Sequence, residues 1–94
     1  MAQATVKMVT DSVTAFVEDD LALAQRVMAA DDTVDALFEQ VKDEIMQMIY
    51  DRSIDARESL DLLMAAKYFE RIGDHAVNIA EWVEYSVTGS HEGA

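Results

Sequence analysis

The chain has 94 residues, 51% of them hydrophobic, which is enough for one small domain with a modest core and too little for two. It contains no cysteine and no proline, which excludes disulfides and thiolate metal sites and favours long helices with short connections. A net charge of −12 disfavours nucleic acid and anionic membrane surfaces as partners and favours cations or basic protein surfaces.

The same composition bears on where the protein works. No run of about 18 apolar residues occurs, so we expect no direct insertion into a membrane. The N-terminal segment also lacks the apolar centre of a signal peptide. Together with the absence of cysteine, these features predict a cytoplasmic location.

The first predicted helix runs from about residue 5 to residue 29. Its apolar residues recur every three or four positions, as on a face packed against a core: they are Val6, Val9, Val13, Phe16, Ala24 and Val27. Asp20 stands on this face where an apolar residue is expected. It is either a partly covered acid paired with a cation or a helix terminus, or a functional carboxylate that faces a neighbouring helix.

The second predicted helix runs from about residue 32 to residue 51, after a break near Ala30, with Asp31 or Asp32 as its cap. Its apolar face consists of Val34, Phe38, Val41, Ile45 and Met48. Asp31 and Asp35 are four positions apart, so they lie together on one flank of this face. Acids in a first turn usually only offset the helix dipole, and spacing alone leaves both that role and metal binding open.

The third predicted helix runs from about residue 55 to residue 88, after a break near Ser53. Asp55 and Glu58 form a start that resembles a capping box, and Gly89 is a natural C-terminal breaker. The apolar face has the spacing of bundle packing: it consists of Phe69, Ile72, Ala76, Ile79 and Val83.

An acidic face runs along the third helix beside its apolar face. At 100° per residue, Glu70, Asp74 and Glu81 fall within a narrow wedge. Gly73 lies between this wedge and the core, where it is either a point of close helix approach or room beside the acids. His75 points away from the wedge and is not expected to be a ligand, and His91 belongs to a short polar tail.

These elements predict an all-α fold. We expect one domain over residues 1–94, an antiparallel, up-down-up three-helix bundle of the spectrin-repeat type. Trp82, Tyr68 and Met64 lie off the apolar face of the third helix. We expect them to contribute to a homodimer interface.

Two segments carry a resemblance to a known family. The segment YFERIGDHAVNIAEWVEYSVTG, residues 68–89, resembles the closing helix of a repeat of the PhoU family, which regulates phosphate signalling. The segment FVEDDLALAQRVMAADDTVDALFEQV, residues 16–41, resembles the preceding part of the same repeat. The resemblance covers nearly the whole chain and is greatest to the C-terminal repeat. It implies a three-helix bundle that binds clustered metal ions through E/D-x-x-x-D motifs.

The resemblance implies metal ligands residue by residue. The two motifs correspond to Asp31 with Asp35 and to Glu70 with Asp74. Asp20 matches a further recurrent acid of the family, and Glu81 is a possible addition on the same acidic face. Carboxylate oxygens suit divalent or trivalent ions such as Fe, Zn, Mn or Mg, bound singly or in a cluster.

The resemblance also implies a function. It predicts a non-enzymatic regulator of phosphate uptake and phosphate-starvation signalling, with the ATPase of a phosphate ABC transporter and a phosphate sensor kinase as partners. The alternative is a purely structural helical adaptor or dimerisation unit without a metal. A ferritin-like metalloenzyme is disfavoured because its Glu-x-x-His pairs do not occur here. Family members usually carry two repeats and this chain carries one, which leaves a surface for a second copy.

Overall fold

In the computed structural model, residues 1–89 are described and form three α-helices: α1 (Ala2–Glu18), α2 (Leu21–Tyr50) and α3 (Ala56–Thr88). Residues 1–89 contain no strand, so the prediction of an all-α fold with three helices is confirmed. Across the same range, no helix is both long enough and apolar enough to cross a bilayer. His91 lies outside the described residues.

The first connection consists of Asp19 and Asp20, so the predicted helix over residues 5–29 and its break near Ala30 are wrong. Asp19 ends α1 in a left-handed conformation with a φ of 52°, which short polar side chains tolerate better than most. Asp20 then caps α2, because its carboxylate accepts a hydrogen bond from the backbone N–H of Leu23 at 3.0 Å. The chain folds back here, and α2 continues through Ala30 without interruption.

We expect Asp20→Ala to lower the free energy of unfolding by about 1 kcal/mol, because the N–H of Leu23 loses its acceptor. Asp32→Ala should instead raise it by roughly 0.5 kcal/mol, since alanine is the better helix former within α2. Urea denaturation followed by circular dichroism measures both changes. A loss in Asp32→Ala as large as that in Asp20→Ala would place a helix start at Asp32 and contradict the observed connection.

The second connection agrees with the predicted break near Ser53. The Asp55 carboxylate accepts a hydrogen bond from the backbone N–H of Glu58 at 2.8 Å and caps α3. At the other end, Gly89 adopts a φ of 74°, and its N–H bonds to the carbonyl of Tyr85. This is the left-handed helix ending for which glycine is favoured.

Small side chains make up much of the buried core. The buried residues are Thr5, Met8, Ser12, Ala15, Ala24, Val27, Val34, Phe38, Ile45, Ser59, Ala66, Gly73, Ala76, Ala80 and Val83. In α1 this is not the predicted face, because Val6, Val13 and Phe16 are about half exposed. The hydroxyls of the two buried polar residues of α1, Thr5 and Ser12, donate to backbone carbonyls within their own helix. They can therefore be buried without an unpaired donor.

Contacts between α2 and α3 follow the chain in opposite orders. Val34, near the middle of α2, lies beside Gly73 of α3. Nearer the second connection, Ile49 of α2 and Leu60 of α3 line one groove. An antiparallel arrangement requires this order of contacts. Helix α1 has 17 residues, whereas α2 has 30 and α3 has 33, so α1 covers only part of the length of the other two helices.

Candidate metal centre

Packing between α2 and α3 brings the two predicted acid pairs to one level. A Cβ added to Gly73 would lie 3.5 Å from Cγ1 of Val34, so the helices are in contact there. Asp35 directly follows Val34, and Asp74 directly follows Gly73. In each pair the first acid precedes the second by one helical turn, so each pair lies on one flank of its helix. The charges of Glu70 and Asp74 act on both Asp31 and Asp35. The four carboxylates therefore form one cluster, which we call the acidic cluster: Asp31, Asp35, Glu70 and Asp74.

Electrostatics of Asp31 and Asp35 reflect this proximity. Burial raises the pKa of Asp31 above its ordinary value, and the surrounding negative charges raise it further; these charges belong to Asp35, Asp74, Asp32 and Glu70. Partial desolvation likewise raises the pKa of Asp35, together with the charges of Glu70, Asp74, Asp32 and Glu39. Asp31 and Asp35 are therefore harder to ionise than free aspartates, and the field of the acidic cluster attracts a positive charge. Asp32 was not among the predicted site residues, although it adds to the same field.

One oxygen of the acidic cluster lacks a partner. Oδ1 of Asp31 is buried and has no hydrogen-bond donor within residues 1–89. Such an atom costs free energy in proportion to its lost hydration, roughly 1–3 kcal/mol, and calls for an explanation in terms of an ion or a bound water. It is the member of the acidic cluster that would gain most from a cation.

A lysine already contacts the acidic cluster. Nζ of Lys67 lies 2.6 Å from Oε1 of Glu70. The same ammonium group stands 5.4 Å from the ring centroid of Phe38. Nζ of Lys42 stands 5.0 Å from the same centroid and forms an ion pair with Glu39. Sequence reasoning missed Lys67, although its position three residues before Glu70 on a helix is the signal for such a pair.

The two additional acids are not part of the acidic cluster. Asp20 is the cap of α2, which is its predicted role as an acid paired with a helix terminus. It lies roughly 16 Å from Asp31 along the helix. Glu81 is half-buried on α3, roughly 10 Å beyond Asp74 along the axis. His75 is exposed.

Chemically, the acidic cluster fits a hard cation. Its donors are all carboxylate oxygens from two neighbouring helices, which suit Mg, Mn, Fe or Zn. Among residues 1–89, no three acidic or histidine side chains stand where they could hold a metal ion without rearranging. The case for a metal ion therefore rests on the all-carboxylate donors, their shared level on the two helices and the unpartnered Oδ1 of Asp31. The side chains would have to rotate before three of them could coordinate one ion.

Fold and site together define a small acidic helical domain whose distinguishing feature is a group of carboxylates shared by two helices. Comparison with known proteins identifies the family: residues 1–83 match the PhoU domain. The chain belongs to the PhoU domain family.

Curated relatives have the same family name. The chain is 36% identical over 91 residues to the phosphate-specific transport system accessory protein PhoU homolog 1 of Thermotoga maritima, a match that covers 97% of this chain and 39% of that protein. It is 33% identical over 89 residues to the corresponding PhoU homolog of Clostridium acetobutylicum, covering 95% of this chain and 41% of the relative. The chain thus spans about two fifths of the length of these relatives. No solved structure matches it.

Proposed function

We propose that this chain is a non-enzymatic regulatory domain of a phosphate transport system, which acts through protein contacts and a metal held by its acidic motifs. Membership of the PhoU domain family supports the proposal, as do relatives named for an accessory role in phosphate-specific transport. Because the chain spans about two fifths of those relatives, the proposal concerns the part of that role which one helical domain can carry.

The unpartnered, buried Oδ1 of Asp31 is the observation that supports the metal most directly. Asp31 and Asp35 from α2 would hold the ion together with Glu70 and Asp74 from α3. A divalent or trivalent ion, singly or in a cluster, would neutralise the repulsion among the four carboxylates. It would also tie α2 to α3, which gives metal binding a structural consequence that a partner protein can sense.

Metal titration of the purified chain tests this proposal. We expect Mn²⁺, Mg²⁺, Zn²⁺ or Fe²⁺ to release or absorb heat in calorimetry and to raise the melting temperature. An ion at about 100 times its dissociation constant should stabilise the fold by about 2.7 kcal/mol. Asp61→Asn, which removes one exposed acid of α3 outside the acidic cluster, is the matched control and should still bind. If none of the four ions produces either heat or a shift in melting temperature, the metal-binding proposal is refuted.

The partners follow from the same family membership. We propose that the chain works in the cytoplasm and contacts the ATPase of a phosphate ABC transporter and a phosphate sensor kinase. With a charge of −12, it should prefer basic surfaces on both. Binding to the purified ATPase, measured with and without metal at several salt concentrations, tests the contact, and no binding at low salt would contradict it.

Self-association is the second proposal, and it also covers the alternative of a structural dimerisation unit. Trp82, Tyr68 and Met64 are each more than half exposed, and the Trp82 and Tyr85 rings lie 5.6 Å apart between centroids. We expect a homodimer whose population in light scattering grows with protein concentration and with salt, since salt screens the repulsion between two acidic chains. A monomer at all concentrations and ionic strengths would exclude it.

A further inference from the structure

We propose that Lys67 is a built-in competitor for the metal: its ammonium group occupies Glu70 and thereby sets how tightly the acidic cluster binds a cation. This inference rests on the metal-binding function proposed above and concerns its regulation. It predicts that one lysine, which supplies no ligand, controls metal affinity.

The ion pair with Glu70 is short, and its acidic partner is largely covered while Lys67 is 51% exposed. Nζ of Lys67 lies 2.6 Å from Oε1 of Glu70, whose side chain is only 16% exposed. In the Lys42–Glu39 pair the lysine is the better covered partner, since Lys42 is 37% exposed and Glu39 is 67% exposed. Water screens the Glu70 carboxylate less than the Glu39 carboxylate, so a positive charge at Glu70 replaces hydration that this candidate ligand lacks.

Phe38 gives the ammonium group a second attachment. Nζ of Lys67 stands 5.4 Å from the ring centroid, within reach of the negative face of the ring. When a metal takes Glu70, Lys67 can remain over this ring. Its positive charge then stays beside the ion and repels it. Competition thus has two parts, the lost ion pair and the remaining repulsion, and both disappear when the lysine is replaced.

Lys42 provides a matched control on the same ring. Its Nζ stands 5.0 Å from the Phe38 centroid, on the helix that carries Asp31 and Asp35. Its partner is Glu39, which is not one of the four candidate ligands. Lys42→Met therefore removes one positive charge near the acidic cluster without releasing a candidate ligand.

The experiment compares Mn²⁺ affinity by calorimetry at one pH and one ionic strength. Lys67→Met should bind Mn²⁺ roughly 3- to 10-fold more tightly than the unmodified chain, and Lys42→Met less than about twofold more tightly. In a Glu70→Gln background, the gain from Lys67→Met should shrink to the size of the Lys42→Met effect, because no ligand is left to compete for. Circular dichroism checks the fold of each variant. If Lys67→Met does not fold, Lys67→Gln is used in its place.

The outcomes separate this inference from the proposed function. If Mn²⁺ binds equally well to the unmodified chain and to Lys67→Met, the competition is wrong and the metal proposal stands. Equal gains for Lys67→Met and Lys42→Met would also overturn it, since they would show a general charge effect. If neither the unmodified chain nor Lys67→Met binds Mn²⁺ or the other three ions, the metal proposal fails and the competition with it.

Discussion

Asp31→Asn is expected to change metal affinity and metal-free stability in opposite directions. Losing one charged ligand should weaken metal binding at least about tenfold, since even changes to the hydrogen-bond partners of ligands cost about 10- to 100-fold. Without metal, the same substitution relieves repulsion within the acidic cluster. It should raise the free energy of unfolding at neutral pH by about 0.5–1 kcal/mol. Calorimetry and urea denaturation of the same samples measure the two effects.

The stabilising effect of Asp31→Asn should depend on pH with a defined sign. Because the pKa of Asp31 is raised in the folded chain above the ordinary value of 3.8, the folded chain binds more protons at this site than the unfolded chain. The penalty for the charged form is present at neutral pH and is lost as the pH falls through the raised pKa. The advantage of Asp31→Asn should therefore be largest near pH 7 and absent below pH 3.8.

Two comparisons make this result decisive. Asp61→Asn removes the same charge outside the acidic cluster and should leave metal affinity within about twofold. Glu70→Gln should lower metal affinity as well, with a smaller gain in metal-free stability because it also loses the Lys67 pair. If Asp31→Asn only destabilises the chain and leaves metal affinity unchanged, the structural adaptor without a metal is the better account.

Helix starts and stops with strong local chemistry were predictable from the sequence. Asp55 and Gly89 bound α3 as expected, because a capping carboxylate and a left-handed glycine act within a few residues of the chain. The turn at Asp19 and Asp20 was missed because the apolar spacing of two helices continues across it. Neither aspartate identifies a break by itself, since Asp also occurs inside helices.

The core of α1 and the details of the site depend on tertiary packing. Thr5 and Ser12 are buried in place of Val6 and Val13, because small side chains that bond their own helix allow close approach. Spacing of four positions correctly placed each acid pair on one flank of a helix. That both pairs share one level follows from the contact between Val34 and Gly73, which joins residues distant in sequence.

Gly73→Leu is expected to lower the free energy of unfolding by about 2–3 kcal/mol, whereas Gly73→Ala should raise it by about 1 kcal/mol. A Cβ at this position would stand 3.5 Å from Cγ1 of Val34 and 3.7 Å from Sδ of Met8, which is ordinary contact. A methyl group therefore fits between the helices at this position. Larger side chains are expected to force the helices apart, because atoms beyond Cβ must displace Val34 or Met8.

The same pair of substitutions links packing to the acidic cluster. Leucine at position 73 should push α2 away from α3 and separate Asp35 from Asp74, so metal affinity should fall along with stability. Alanine keeps the helix spacing and should leave metal affinity within about twofold while it removes the helix cost of glycine. Urea denaturation and calorimetry measure both, with Ala65→Gly at an exposed position of the same helix as the reverse control, expected to lose about 1 kcal/mol. A destabilised Gly73→Ala chain would show that α2 and α3 approach too closely even for a methyl group, and that Gly73 sets the separation of the two acid pairs.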